Sequence, residues 1–212
     1  AEITGAYKAA QAEPFSDTAV LLLAAGESQR YADGDKLHAD LGGRPVLSHA
    51  AGLLMDYDVA ARVAVVGADQ PSRRILLESE GWQIVVNRNN SAGQSTSLKV
   101  GIQAISGLRD VKHVLVLLAD MPFVSETHLL SLRRAIAPDI SAAMSISSDT
   151  LCPPAIFSRA VFDQLANISG DTGARHVFRA LEHTATIPLT ESEAIDIDTT
   201  EDLARATSAV TV

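Results

Sequence analysis

Three short runs, "AVLLLAA" (19–25), "RVAVVG" (62–67) and "HVLVLLAD" (113–120), are apolar at almost every position. A strand with one wet face alternates apolar and polar residues, so unbroken apolar runs demand cover on both sides. Between them lie longer amphipathic stretches. Strand–helix alternation of this kind is the mark of a mostly parallel sheet sandwiched between helices.

The spacing predicts a helix over "PVLSHAAGLLMDY" (45–57), with Pro45 in its first turn and Val46, Ala50, Leu53 and Tyr57 on one face. A second helix covers "QPSRRILLESEG" (70–81) and stops at Gly81; a third covers "QSTSLKVGIQAIS" (94–106). "WQIVVN" (82–87) reads as a strand, and a further helix opens at Ser125 with Leu129, Leu132 and Ile136 turned toward the sheet. Beyond it come a strand at 140–147, the segment "PAIFSRAVFDQL", a helix after "GDTGAR", and strands near 184–189 and 194–198. A last helix starts at "TTEDLARA", where Thr199 and Asp202 form a capping box. The expected fold is α/β: a three-layer, doubly wound, Rossmann-like and mostly parallel sheet with a mixed C-terminal portion. Residues 1–18 read as an N-terminal arm and 19–212 as a single domain.

A formal net charge of -9 argues against nucleic acid as a partner, because most of the surface repels phosphate. An anionic ligand would need a local positive patch. The single cysteine, Cys152, excludes an internal disulfide and a zinc C-x-x-C, and suits a cytoplasmic protein. No apolar stretch approaches the roughly 20 residues that span a bilayer, and the first residues lack the layout of a signal peptide.

In an open parallel sheet, ligands bind beyond the carboxyl ends of the strands. Three unusual loops lie there. After the first strand, "AAGESQRYADGDK" brings Ala24, Ala25 and Gly26, small enough for close backbone approach, and then Arg30 and Lys36. Successive N–H groups can cradle an anion, a guanidinium offers phosphate a planar fork, and an ammonium adds a point charge. Taken alone, two solvated cations explain the loop as well. It is neither a Walker A nor a G-x-G-x-x-G sequence.

The second loop, "NRNNSAGQSTS" (87–97), sets Gly93, Ser95, Thr96 and Ser97 ahead of a helix. Hydroxyls there read a base or ribose, and one of them is expected to cap the helix. The third loop, "ADMP", leaves Asp120 at the sheet rim, either capping a turn or holding a hard cation such as Mg²⁺. Near the C-terminus, "AIDIDTTEDL" spaces Asp196 and Asp198 as strand residues on one side, facing a metal or solvent. Asp198, at the strand's end, is the candidate ligand.

Together these stretches resemble the MobA-like nucleotidyltransferase family, and within it the molybdenum cofactor cytidylyltransferase branch. "LAAGESQRYADGDKL" is similar to L-A-[AG]-G-x-S-x-R-[FM]-G-x-x-K-L, "GQSTSLKVGI" to G-x-S-x-S-L-x-x-G, and "LADMPFV" to the D-M-P metal-binding stretch. "GDTGAR" resembles G-D-x-G-A-R and "IDIDTTEDL" resembles D-I-D-T-P-E-D-L; the matches keep family order from Ala19 to Leu203. The chain departs with Ala32 where the family has glycine, and with "CPPA" where the branch has G-[HN]-P.

The resemblance implies that Ala24, Ala25 and Gly26 bind the nucleotide, Arg30 and Lys36 hold its phosphates, Gly93 and Ser97 lie near the base, and Asp120 holds Mg²⁺. Ala25, where the guanylyl-transferring branch has glycine, favours CTP over GTP, with another NTP as the alternative. The implied reaction moves CMP from CTP to the terminal phosphate of a molybdopterin-type cofactor, releasing pyrophosphate. A molybdoenzyme would receive the product. A sugar or alditol phosphate as acceptor, or a non-catalytic accessory protein that binds the cofactor, remain alternatives. No G-x-S-x-G elbow is present, and the histidines show no metal or triad spacing.

Overall fold

The structure, a computed structural model, describes residues 13–28, 30–32, 34–168 and 173–210. The expected arm therefore lies outside the described residues up to position 12, as do Gly170, Asp171 and Thr172 of the "GDTGAR" segment. The described part of the arm is a 3-10 turn, Glu13–Phe15, whose fully buried Phe15 ring meets Tyr57 edge-on at 5.6 Å.

Strand β1 (Thr18–Leu23) is buried at all six positions, as its unbroken apolar run requires. It is followed by a two-stranded ribbon, Asp40–Leu41 with Arg44–Pro45, and by helix α1 (Val46–Ala51). Then come β2 (Ala61–Gly67), α2 (Pro71–Ser79), β3 (Gln83–Asn87), α3 (Gln94–Ser106) and β4 (His113–Leu118). The C-terminal part adds α4 (Glu126–Ala135), β5 (Ala142–Ser147), β6 (Thr150–Ser158), α5 (Phe162–Ala166), α6 (Ala174–Ala180), β7 (Thr184–Pro188) and α7 (Thr200–Val210).

The seven-stranded sheet runs β3-β2-β1-β4-β6-β5-β7, and only β6 opposes the common direction. The chain builds outward from β1 through β2 to β3, then crosses back to place β4 on the other side of β1. That reversal opens a crevice at the carboxyl ends of β1 and β4. In register, Leu21 stands between Val63 and Val116. Even-numbered residues of β1 (Val20, Leu22) pack with α1, α2 and α4, and odd-numbered ones (Ala19, Leu21, Leu23) with α3, α5 and α6. Helices thus cover both faces. Among the described residues no helix is long and apolar enough to cross a membrane.

The structure corrects some expectations. The helix expected to reach Tyr57 stops at Ala51, with Gly52 as its cap and Leu54 held at φ +60°. The Arg62 guanidinium draws out the Leu54 and Tyr57 carbonyls (2.9 Å each), and complete burial of the Leu54 side chain compensates for the left-handed backbone. The strand expected at 194–198 does not form. Residues 191–194 turn, and the following segment meets the loop after β4 through a backbone–backbone bond, from Ile197 N–H to the Asp120 carbonyl at 2.9 Å. Its alternation has another cause: Ile195 and the fully buried Ile197 enter the core, while Asp196 and Asp198 turn to the side of the charge cluster. Nor does any hydroxyl cap α3. Its cap is Gly93, at φ +100°, without a side-chain bond. The Thr199–Asp202 capping box is present: Asp202 N–H donates to the threonine hydroxyl (3.1 Å) and Thr199 N–H to the carboxylate (2.9 Å).

Candidate active site

Beyond the ends of β1 and β4 lies a cavity of about 340 Å³. Ala25, Gly26, Arg30, Lys36, Gly93, Ser97, Asp120 and Asp198 all line it. Residues far apart in sequence therefore meet at one rim. Ser95, Thr96, Asp196 and Ala24 stay out of the lining; the Ala24 N–H donates to Val65 O (2.8 Å) and its carbonyl accepts from Arg73 (2.6 Å).

Lys36 is the centre of the charge cluster. It opens a 3-10 turn, Lys36–His38, is only 6% exposed, and donates to Asp120 Oδ2 (2.7 Å) and Asp198 Oδ1 (2.8 Å). Arg30, exposed, donates to the other Asp198 oxygen at 2.6 Å. Burial on its own would lower the Lys36 pKa; the two carboxylates outweigh it and hold the ammonium above the ordinary lysine range. Asp196 sits close by. Burial, then the negative charge of Asp198 and Asp120, pushes its carboxyl above the usual range. With Glu27, which also lines the cavity, four carboxylates against two cations leave the rim with a surplus of negative charge.

A group sequence reading missed organises the first loop. Arg73, on α2, is 2% exposed and forms a bidentate pair with Asp35, Nε to Oδ2 (2.8 Å) and Nη2 to Oδ1 (2.6 Å). Its Nη1 donates to the carbonyls of Ala24 (2.6 Å) and Gly26 (2.7 Å), and Nη2 to the Ser28 hydroxyl (3.0 Å). Gln70 supports the same side, donating to Gly26 O at 3.0 Å. In a trans peptide the C=O and the following N–H point opposite ways. The Ala24 carbonyl, drawn to Arg73, and the Ala25 carbonyl, which accepts from Gln70 at 3.4 Å, therefore turn the following N–H groups, those of Ala25 and Gly26, away from α2. Among the described residues those of Ala25 and Gly26 donate to no backbone carbonyl. Successive N–H groups left without a backbone acceptor can serve as an anion nest. Asp35, whose carboxylate also accepts Leu37 N–H (3.0 Å), fixes the turn that aims Lys36. Burial opposes its ionisation, yet the Arg73 bonds hold its pKa at about 2. The available signal was Arg73 four residues before the fully buried Leu77, on the apolar stripe of an amphipathic helix.

On the opposite wall Asn87, 1% exposed, donates to Thr96 Oγ1 (2.8 Å) and Ser97 Oγ (3.0 Å). Asn87 thereby fixes the Ser97 hydroxyl, which lines the cavity.

Among the described residues no three His, Cys, Asp or Glu side chains are arranged to hold a metal ion. Asp120 and Asp198 nevertheless grip one cationic atom from two sides. Mg²⁺ is usually held by one or two carboxylates, with substrate phosphates and water completing its shell. Two carboxylates, a negative surplus and an adjacent anion nest fit such an ion.

Residues 20–185 match the MobA-like NTP transferase domain. The chain belongs to this family. It is 30% identical over 197 residues to the nicotine blue oxidoreductase of Paenarthrobacter nicotinovorans, covering 87% of this chain and 94% of that protein. It is 32% identical over 124 residues to the purine catabolism protein PucB of Bacillus subtilis, a match spanning 57% of this chain and 59% of PucB. Among solved structures, Rv0371c from Mycobacterium tuberculosis superposes with a TM-score of 0.78 at 21% identity, over 91% of this chain and 98% of its own. That protein has also been crystallised with manganese. Molybdopterin-guanine dinucleotide biosynthesis protein A from Archaeoglobus fulgidus superposes at 0.67 and 17% identity, over 91% and 98%. At these identities the structural likeness establishes the shared fold.

Proposed function

We propose that this family member transfers CMP from CTP to the terminal phosphate of a molybdopterin-type cofactor, with Mg²⁺ and with release of pyrophosphate. The observation that carries the reading is Lys36 bridging Asp120 and Asp198 beside the Ala25–Gly26 nest. Nucleotidyl transfer needs no protein nucleophile, since the acceptor phosphate is itself anionic; the barrier is repulsion between anions. At about 4 Å, two unit charges interact by roughly 4 kcal/mol even at an effective dielectric of 20.

The residues divide that task. Ala25 and Gly26 donate N–H groups to phosphate oxygens, Arg30 and Lys36 bring positive charge to the leaving group, and Ser97 lies where a base or ribose would rest. Asp120 and Asp198 would hold the divalent ion, which when bound supplies charge neutralisation between the reacting phosphates. Lys36 then gives up its carboxylate partners for phosphate oxygens. Ala25 supports a cytosine over a guanine nucleotide through the family resemblance.

The test is pyrophosphate release from CTP, GTP, UTP and ATP, each with the molybdopterin-type acceptor and Mg²⁺. Turnover should be highest with CTP, and Asp120→Asn should lower it by more than 100-fold (roughly 2.7 kcal/mol of barrier) while the protein stays folded. Near-wild-type activity in that variant would remove Asp120 from the site. The name of the Paenarthrobacter relative favours a second reading, redox chemistry. Oxidoreductase turnover without pyrophosphate release from any nucleotide would replace transfer with it.

A further inference from the structure

An arginine carries five N–H donors in one plane, and at Arg73 the protein takes all of them. The Nε hydrogen and one on Nη2 go to the Asp35 carboxylate, the other Nη2 hydrogen to the Ser28 hydroxyl, and both Nη1 hydrogens to the Ala24 and Gly26 carbonyls. These acceptors belong to two separate pieces of the site. Ala24 and Gly26 flank the N–H groups of the nest. Asp35 begins the turn that carries Lys36.

The second piece is tied as closely as the first. Asp35 caps the 3-10 turn, with Oδ1 accepting Leu37 N–H (3.0 Å) and Oδ2 meeting His38 Nδ1 (3.0 Å), while Leu37, 2% exposed, anchors the turn in the core. Lys36 lies between these points and cannot shift without Asp35. Ser28, at φ +47°, closes the base of the loop: its hydroxyl accepts from Arg73 and donates to Asp35 Oδ1 at 3.3 Å. Both ends of the loop therefore meet on one guanidinium, which α2 fixes to the sheet through the fully buried Leu77 one turn on. Neither Arg73 nor Asp35 lines the first cavity.

We infer that Arg73 and Asp35 are positioning residues that hold the nest and the Lys36 ammonium at one fixed spacing, so that both engage a single polyphosphate chain at once. The inference rests on reading this rim as a triphosphate site, and it assigns the buried pair that makes its two phosphate-binding pieces act together. Asp35 works through Lys36. Arg73 works through Lys36 and through the nest. Lysine cannot take over from Arg73, because three donors on one atom do not reach both pieces.

The test is a double-mutant cycle on the whole protein, read by calorimetric titration with inorganic tripolyphosphate and Mg²⁺, with circular dichroism to verify the fold. Residues that act through one another give non-additive losses. Arg73→Lys and Asp35→Asn should each weaken tripolyphosphate binding at least tenfold. In a Lys36→Ala background Asp35→Asn should add less than twofold, since its route is gone, whereas Arg73→Lys should still weaken binding through the nest. Arg74→Met, which loses only its exposed pair with Glu78, should bind as wild type does. A pair with a purely structural role would lower the melting temperature and leave the affinity of the folded protein unchanged. That result, a full tenfold loss from Asp35→Asn on top of Lys36→Ala, or a wild type that binds no tripolyphosphate would each overturn the assignment. Should Arg73→Lys fail to fold, the Asp35→Asn half of the cycle decides alone. Pyrophosphate release from CTP is scored separately: tripolyphosphate bound as expected without turnover of any nucleotide would end the transferase reading and leave the positioning role standing.

Discussion

Arg73 shows what a single buried side chain can organise at the residue scale. Its guanidinium serves Asp35, Ser28 and two loop carbonyls at once, so truncation strands a carboxylate as well as those acceptors. Breaking a buried ion pair from one side costs about 3–5 kcal/mol. Urea unfolding of Arg73→Met should show a loss of that order, whereas Arg74→Met, which only removes an exposed pair with Glu78, should stay within about 1 kcal/mol. The pH dependence has a defined sign. Asp35 is held at about 2 against an ordinary 3.8, so its contribution is complete above pH 3.8 and disappears as pH falls toward 2. Acid titration of stability should accordingly be shallower in Asp35→Asn than in wild type over that window. A steeper curve in the variant would show that the carboxylate is not held by its partners.

At the scale of elements, the close approach of α3 to the sheet depends on Gly101. A Cβ built there would meet Leu21 Cδ1 at 2.5 Å and Val65 Cγ2 at 3.1 Å, both in the packed core. Gly101→Ala should cost about 1–3 kcal/mol through overpacking, despite alanine's better helix propensity. A stabilised variant in thermal unfolding would contradict that packing. At α7, Thr199→Ala removes the hydroxyl arm of the capping box, with its bond to the Asp202 carboxylate, but keeps the Thr199 N–H arm, and should cost about 1 kcal/mol by the same assay. The elements legible in sequence were those fixed by their own residues: the unbroken apolar runs of β1, β2 and β4, the helix opening at Ser125, and this box. β6 was not. Pro153 and Pro154 argue against a strand, and its hairpin turns on Ser148 and Asp149, at φ +44° and +62°, without the glycine that usually marks such a turn. The site divides in the same way. Lys36, Asp120 and the small loop residues stand in recognisable motifs, while Arg73 acquires its role only when α2 folds back over the end of β1. The position of Asp198 was suggested by strand spacing, but bonds from Ile197 N–H to Asp120 and from Asp198 N–H to Asp202 hold it.

For the whole molecule, stability and the site both depend on groups kept neutral or paired in the fold. Burial lowers the pKa of His128 and of His113, outweighing the opposing charges of Glu193 and Asp17. A depressed histidine pKa means the folded state binds fewer protons. Stability should therefore be complete above about pH 6.5 and decline as pH falls below it, a trend readable in melting temperatures between pH 8 and 5. Over the same molecule an overall negative charge surrounds one rim where Lys36, Arg30 and two carboxylates face a cluster of N–H donors. The most direct measurement is a crystal soaked with CTP and Mn²⁺, read by anomalous scattering. A manganese peak between Asp120 and Asp198, with the triphosphate on the Ala25 and Gly26 N–H groups and Lys36 turned from carboxylate to phosphate, is the expected result. Nucleotide bound elsewhere, or bound here with Lys36 still bridging the two aspartates and no metal between them, would contradict it.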